Sequence, residues 1–214
     1  MSEGRCPLCG QPMYGWITRA AGVIDRCESC GVALERGAEV DLATELEAIR
    51  AAGDSGGLEC PNRASLQAAI GAEGWAALDR YPGRLVHSPR SLALLAERNG
   101  HALEGASFAL LGANQGWMWQ TLLNGLTFHP NFAREVRAGR LRAGTAQSRA
   151  AFAVDVVVSL LAAPLVALLS FPLELVATVL RRGGLMRGSL KAPAPALGGA
   201  APDSLGDRQG ERPG

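Results

Sequence analysis

The sequence predicts an α+β protein in which a small β module precedes a short mixed α/β region and a helical, apolar region. Three observations predict this fold class. Two Cys-x-x-Cys pairs flank β-prone runs at residues 13–18 and 23–26, amphipathic helical segments alternate with short apolar runs up to residue 112, and residues 150–180 are almost uncharged. We therefore divide the chain into regions 1–37, 38–112 and 113–182, followed by a disordered tail at 183–214.

The net charge is close to zero, but the charge is unevenly distributed. The 214 residues carry a formal net charge of +1, and 48% of them are apolar. This composition excludes a disordered polycation and is typical of one or two small globular units. Residues 1–104 contain 14 acidic and 10 basic residues, whereas residues 105–214 contain 6 acidic and 11 basic residues. No signal-peptide pattern begins the sequence, so we expect the cysteines to lie in a reducing compartment.

The N-terminal module carries the most specific motif in the chain. Cys6 and Cys9 form one Cys-x-x-Cys pair, Cys27 and Cys30 form the second, and 17 residues separate the pairs. This spacing predicts a ribbon in which two turns bring four thiolates around one tetrahedral Zn²⁺ ion. Four cysteine ligands leave no open coordination position, so we expect a structural metal. A redox dithiol is the disfavoured alternative, because there are two pairs and no βαβ context.

Apolar spacing and capping residues predict the helices of the middle region. Leu42, Leu46 and Ile49 recur at i, i+4 and i+7, which predicts an amphipathic helix. Asn62 is the expected N-cap of a helix that Gly71 closes.

A further helix is expected to begin at Ser88 and Pro89 and to end at Asn99. Strands are predicted at residues 57–60 and 103–111, and more helices at residues 115–126 and 131–138.

The fifth cysteine and the three histidines stand apart from the metal motif. Cys60 has no ligand-type residue at suitable spacing, which favours a small buried core residue over a reactive thiol. His87, His101 and His129 are scattered along the chain without the spacing of a second metal site. We expect each to be a surface histidine or a hydrogen-bonded one.

Several motifs follow one another between residue 46 and about residue 184. Residues 46–62 read LEAIRAAGDSGGLECPN, residues 75–79 read WAALD, and residues 85–92 read LVHSPRSL. This order resembles the C-terminal half of class I S-adenosylmethionine-dependent methyltransferases, the group related to ubiquinone- and lipid-modifying enzymes. The similar family motifs are P-G-G, V-P-N, W…L-D and H-F-S-P-x-S-L. The resemblance implies a truncated α/β remnant of that fold in region 38–112.

The same resemblance implies that the cofactor half of the fold is missing. In the family, the cofactor lies at a Gly-rich turn after the first strand, and an acidic residue after the second strand holds its ribose. About thirty residues separate Cys30 from Pro61, too few for those βα units. The Gly-rich segment 53–57 follows a helix and precedes a strand, so we interpret it as a plain connection. We therefore expect no S-adenosylmethionine binding and no catalytic residues.

The apolar stretch of the C-terminal half is a candidate membrane segment. Residues 156–173 carry no charge and would form a helix of about 27 Å, slightly shorter than the ~30 Å hydrocarbon core. We expect a helix pair bent near Pro164 that dips into one leaflet, because both flanks are basic. A buried helix pair packed on the α/β region is the alternative. The flanking basic residues are Arg134, Arg137, Arg140, Arg142, Arg149, Arg181, Arg182, Arg187 and Lys191.

Three functional hypotheses follow from these features. The favoured one is a non-catalytic binding or adaptor protein with a zinc ribbon, associated with the cytoplasmic side of a membrane and with a possible protein partner. The second is a methyltransferase component that acts on a lipid or small molecule together with a partner's cofactor domain. The third is a ribbon that binds nucleic acid, which is disfavoured because residues 28–59 contain eight acids and two bases.

Overall fold

The fold consists of two antiparallel sheets with helices packed around them, which confirms the α+β class. The structure is a computed structural model, and it describes residues 4–19, 22–53, 57–79, 83–108, 113–142, 144 and 146–192. The strands are β1 (Met13–Arg19), β2 (Gly22–Cys27), β3 (Ala33–Glu35), β4 (Leu58–Pro61), β5 (Leu85–Val86), β6 (Ala102–Phe108) and β7 (Leu185–Lys191). The helices are α1 (Leu42–Ala52), α2 (Leu66–Gly71), α3 (Pro89–Arg98), α4 (Ala113–Asn124), α5 (Phe132–Arg137) and α6 (Ala146–Val179).

The first sheet has the strand order β1-β2-β3-β5 and joins the N-terminal ribbon to the middle region. The ribbon supplies β1, β2 and β3, and β5 pairs antiparallel with β3 through Ala33 with Val86 and Leu34 with Leu85. Cysteines of the ribbon share one hydrophobic core with residues of α1, α3, β4 and β5. The ribbon therefore does not depend on its own small core.

The second sheet has the order β4-β7-β6, and β7 is antiparallel to both neighbours. The prediction of a disordered tail from residue 183 is wrong for residues 185–191, because these residues form the central strand β7. Pairing on both edges and burial of Leu185 and Met186 offset the ordering cost that the glycine-rich composition suggested. Residues 193–214 of the predicted tail lie outside the described residues, as do residues 54–56 of the Gly-rich connection.

The capping residues determine where the short helices begin. The side chain of Ser65, not Asn62, caps α2 by accepting a hydrogen bond from Ala68 N. Asn62 is fully buried, and its Nδ2 donates to Gly183 O at 3.0 Å, which connects β4 to the start of β7. Ser88 caps α3 in a capping box, as the sequence predicts.

The apolar C-terminal stretch forms one helix of 34 residues, α6, rather than the predicted pair bent near Pro164. Pro164 and Pro172 both lie inside it. Each proline removes one backbone donor and favours a kink. The helix continues because α4 packs along it and because the residues next to Pro164 are alanine and leucine, which favour helix.

Candidate metal centre and apolar helix

Two tight turns of the same geometry present the four predicted cysteines. In the first turn Gly10 N donates to Cys6 O at 2.9 Å, and in the second Gly31 N donates to Cys27 O at 2.9 Å. Both glycines adopt left-handed conformations, with φ of 74° for Gly10 and 79° for Gly31. Glycine adopts this conformation without steric cost, so the glycine after each Cys-x-x-Cys pair permits the tight turn.

The four sulfur atoms lie within 4.8 Å of one another. The closest approaches are 3.5 Å between Cys6 Sγ and Cys30 Sγ and 3.4 Å between Cys9 Sγ and Cys27 Sγ. These distances are far longer than a disulfide bond of about 2.05 Å. They are close to the roughly 3.8 Å that separates sulfur ligands of a tetrahedral ion with metal–sulfur bonds of about 2.3 Å. The four predicted ligands could therefore bind one metal ion.

The surroundings favour the thiolate at Cys6 and the protonated thiol at Cys9 and Cys30. The hydrogen bond from Cys30 lowers the pKa of the Cys6 thiol to about 5, and backbone N–H groups of Leu8 and Cys9 contribute to the same effect. The same hydrogen bond raises the pKa of Cys30, because Cys30 keeps the proton that it donates to the Cys6 thiolate. A bound cation would remove the need for that proton.

The cluster is largely shielded from solvent. Cys6, Cys27 and Cys30 are buried, and Cys9 is half-buried. The middle region also supports the second turn, because Ser88 Oγ donates to Cys30 O at 2.7 Å and Arg63 Nε donates to Gly31 O at 2.5 Å. A metal in this position has no free face for a substrate, so its role would be structural.

The remaining predicted residues do not join the cluster. Cys60 is buried in the hydrophobic core, as predicted, and burial raises the pKa of its thiol. His87 is also buried, with its Nδ1 3.3 Å from Ser91 Oγ and its Nε2 3.7 Å from Glu45 Oε1. Among the described residues, the four cysteines are the only group of three or more metal-type side chains close enough to hold an ion.

The second candidate site is the surface of α6, whose polar residues face the protein and whose apolar residues face outward. Residues 150–180 contain five polar side chains, and none of them is exposed. These five are Asp155, Ser159, Ser170, Glu174 and Thr178. The exposed large side chains are Val154, Val157, Leu160, Leu161, Leu165, Leu168, Leu169, Phe171, Leu175, Val176, Val179 and Leu180. This distribution is the reverse of that on the surface helix of a water-soluble protein.

The two acidic residues attach both ends of α6 to the rest of the fold. Asp155 accepts hydrogen bonds from Phe128 N at 2.8 Å and His129 N at 3.1 Å, and it lies 2.7 Å from His129 Nδ1. Glu174 accepts from Gln67 Nε2 at 2.8 Å. The two acids are 19 residues apart, or about 28 Å along the helix axis. The helix is therefore held lengthwise against the folded body.

Asp155 and Glu174 are the two charged residues of the stretch 150–180, which the sequence indicates only as almost uncharged. A signal for their role was present, because at 100° per residue the five polar side chains fall within one arc of about 140°. The pairing of His129 with Asp155 spans 26 residues, and no local pattern indicates it.

The segment Ser148–Val179 is long and apolar enough to cross a membrane. Comparison of the chain with protein-family models, curated proteins and solved structures finds no match.

Proposed function

We propose that this protein is a non-catalytic binding protein that associates with the cytoplasmic side of a membrane and uses a structural Zn²⁺ ion to hold its N-terminal ribbon on the α/β body. The observation that carries the proposal is the reversed polarity of α6. A helix that hides its polar side chains and exposes leucine and valine is suited to lipid, where charges face the protein interior.

Zinc is the metal that best suits the cysteine cluster. Four thiolates in a tetrahedral arrangement favour Zn²⁺ or an iron centre, and the closed surroundings fit the structural role that Zn²⁺ has in such sites. The binding free energy of the metal would act as folding free energy for the ribbon.

The contacts of α6 favour a helix lying in the membrane plane. Its N-terminal part is bonded to the segment after α4 through Asp155, and its C-terminal part is bonded to α2 through Glu174. A helix that crossed the bilayer would pull these partners into the hydrocarbon core, where their backbone groups need internal partners. In-plane insertion buries only the exposed apolar surface, and it leaves Arg149 and Arg182 near the anionic cytoplasmic headgroups.

The resemblance to the C-terminal half of class I methyltransferases is compatible with a binding role. A partner that supplied the cofactor half would have to add strands at the free edge of β4. At the end of this strand Asn62 forms a parallel bridge with His87, and Arg63 N donates to His87 O at 2.8 Å. The first sheet thus approaches the edge of β4 to which a partner's strands would have to pair. This favours a non-catalytic protein over a methyltransferase component that works with a partner's cofactor domain.

Sedimentation with neutral phosphatidylcholine vesicles tests membrane association. Leu160, Leu161 and Leu168 are 72%, 76% and 73% exposed. Burying a leucine completely contributes about 2 kcal/mol, so inserting these three contributes about 4 kcal/mol. Replacing all three by serine is expected to weaken vesicle binding about a thousandfold while preserving the far-UV circular dichroism spectrum.

A matched control uses exposed apolar residues away from α6. Tyr14 in β1 and Ile70 in α2 are 47% and 45% exposed, and replacing both by serine is expected to leave vesicle binding unchanged. The proposal is wrong if the wild-type protein stays in the supernatant without detergent, or if the triple variant sediments like wild type.

A further inference from the structure

A basic pocket lies where the C-terminal end of α6 meets the ribbon. Its volume is about 540 Å³, and four arginines line it together with an aromatic ring. Arg26 comes from β2, Arg63 follows β4, and Arg181 and Arg182 follow the last turn of α6. The ring is that of Trp16 in β1. Segments distant in sequence therefore bring four positive charges to one concave site.

Contacts on the far side of the pocket hold two of the arginines in place. Arg63 Nε donates to Gly31 O, and its guanidinium carbon lies 5.2 Å from the centre of the Trp16 ring. Arg182 Nε donates to Ala64 O at 3.1 Å. Within the described part of the chain these hydrogen bonds use only the Nε donors of the two arginines. Their terminal amino groups remain available for a ligand that offers several acceptor oxygens.

Acidic residues neutralise little of this charge. Arg26 Nη2 is 2.5 Å from Glu28 Oε1, and that is the one ion pair the described residues form with the four arginines. Burial and the charge of nearby Arg26 lower the pKa of Arg63, although Glu28, Cys30 and Cys27 oppose the shift. Three guanidinium groups without a paired carboxylate in a single pocket repel one another, and an anion would relieve this repulsion.

We infer that the pocket binds a phosphate group. Guanidinium groups match the geometry of phosphate oxygens and bind them in a bidentate manner. An anionic lipid headgroup is the expected carrier, because Val179 and Leu180, which immediately precede Arg181 and Arg182, are 75% and 58% exposed and belong to the apolar surface of α6. This part of the inference rests on the proposed membrane association. The binding of phosphate itself does not.

The test compares the full-length wild-type protein with an Arg63→Gln/Arg182→Gln variant on two kinds of vesicle. One kind is pure phosphatidylcholine, and the other contains phosphatidic acid as well. Wild type is expected to bind the phosphatidic acid vesicles more tightly. Each arginine near the surface contributes about fivefold, so the double variant should lose about thirtyfold on these vesicles and nothing on phosphatidylcholine.

Two further variants test whether the loss of binding comes from the pocket rather than from overall charge or from misfolding. Arg90→Gln/Arg98→Gln removes two exposed arginines of α3 and is expected to change binding to phosphatidic acid vesicles less than threefold. Arg181→Gln/Arg182→Gln alters two exposed residues only and is expected to reproduce the loss. The second result keeps the test valid if the change at Arg63 disturbs the ribbon.

A second arm uses inorganic phosphate and the detergent-solubilised protein, followed by broadening of the ³¹P resonance. If the pocket variants lose the tighter binding to phosphatidic acid vesicles, the ligand is a lipid headgroup. If they lose only the ³¹P broadening, the ligand is free phosphate. Pocket variants that match wild type in both arms overturn the inference. If wild type fails to bind any vesicle, the membrane proposal fails, while the ³¹P arm still decides whether the pocket takes phosphate.

Discussion

Replacing Cys27 by alanine is expected to destabilise the whole fold, whereas the same change at Cys60 is expected to have a small effect. The two residues form a matched pair, because Cys27 is 0% exposed, Cys60 is 1% exposed, and both belong to the same hydrophobic core. Only Cys27 lies among the four clustered sulfur atoms. The difference between the two variants therefore isolates the contribution of the metal ligand from that of core packing.

The expected magnitudes follow from the two roles. Removing a buried sulfur atom from a core resembles the loss of one methyl group and costs about 1 kcal/mol at either site. A structural zinc site contributes on the order of 10–16 kcal/mol, or about 3 kcal/mol for each of four ligands. Cys27→Ala should thus lower the free energy of unfolding by about 4 kcal/mol, a large part of the 5–15 kcal/mol typical of a domain.

Urea titration followed by far-UV circular dichroism measures the stability, and elemental analysis measures zinc per chain. Wild type and Cys60→Ala are expected to carry one zinc ion, and a strong chelator should destabilise both. The reasoning is refuted if Cys27→Ala and Cys60→Ala lose the same stability and retain the same metal, or if chelation leaves wild type unchanged.

Three further predictions concern single residues. Gly31→Ala should lower the free energy of unfolding by at least 2 kcal/mol, because the added methyl group would lie 2.7 Å from the Ser88 hydroxyl that caps α3. Gly10→Ala, where the methyl group meets open space, should lower it by about 1 kcal/mol. Urea titration measures both. Asp155→Ala should cost about 2–4 kcal/mol in the same assay, because it leaves two backbone donors without their acceptor. Burial lowers the pKa of His87 below its usual 6.5 despite nearby Glu45. The stabilisation by neutral His87 is therefore fully present above pH 6.5 and is lost as the pH falls, because the unfolded chain binds the proton more readily. His87→Asn should reduce the difference between the free energies of unfolding at pH 7.5 and pH 5.5.

The metal cluster could be predicted from sequence because its geometry is local. The spacing within each Cys-x-x-Cys pair and the glycine after it determine each turn, and a hairpin of predictable strands brings the two turns together. The four arginines of the basic pocket could not be predicted in this way. Arg63 is held there by a hydrogen bond to Gly31, 32 residues away, and Arg182 by one to Ala64, 118 residues away.

The two larger errors in the fold also arise from long-range contacts. Strand β7 contains Gly188 and a mixture of polar and apolar residues, so its own β-propensity is weak, and its neighbours β4 and β6 stabilise it. Pro164 predicted a bend on local grounds, but packing against α4 keeps α6 continuous. In both cases a partner distant in sequence outweighs the local preference.

The central position of β7 has a consequence for synthesis of the protein. A ribosome synthesises β4 and β6 before β7, and the apolar helix α6 is made after β6 and before β7. The second sheet therefore stays unassembled while α6 is already outside the exit tunnel. A nascent chain at this stage exposes the apolar surface of α6 before the second sheet has formed, so an early encounter with lipid or a chaperone would protect it from aggregation.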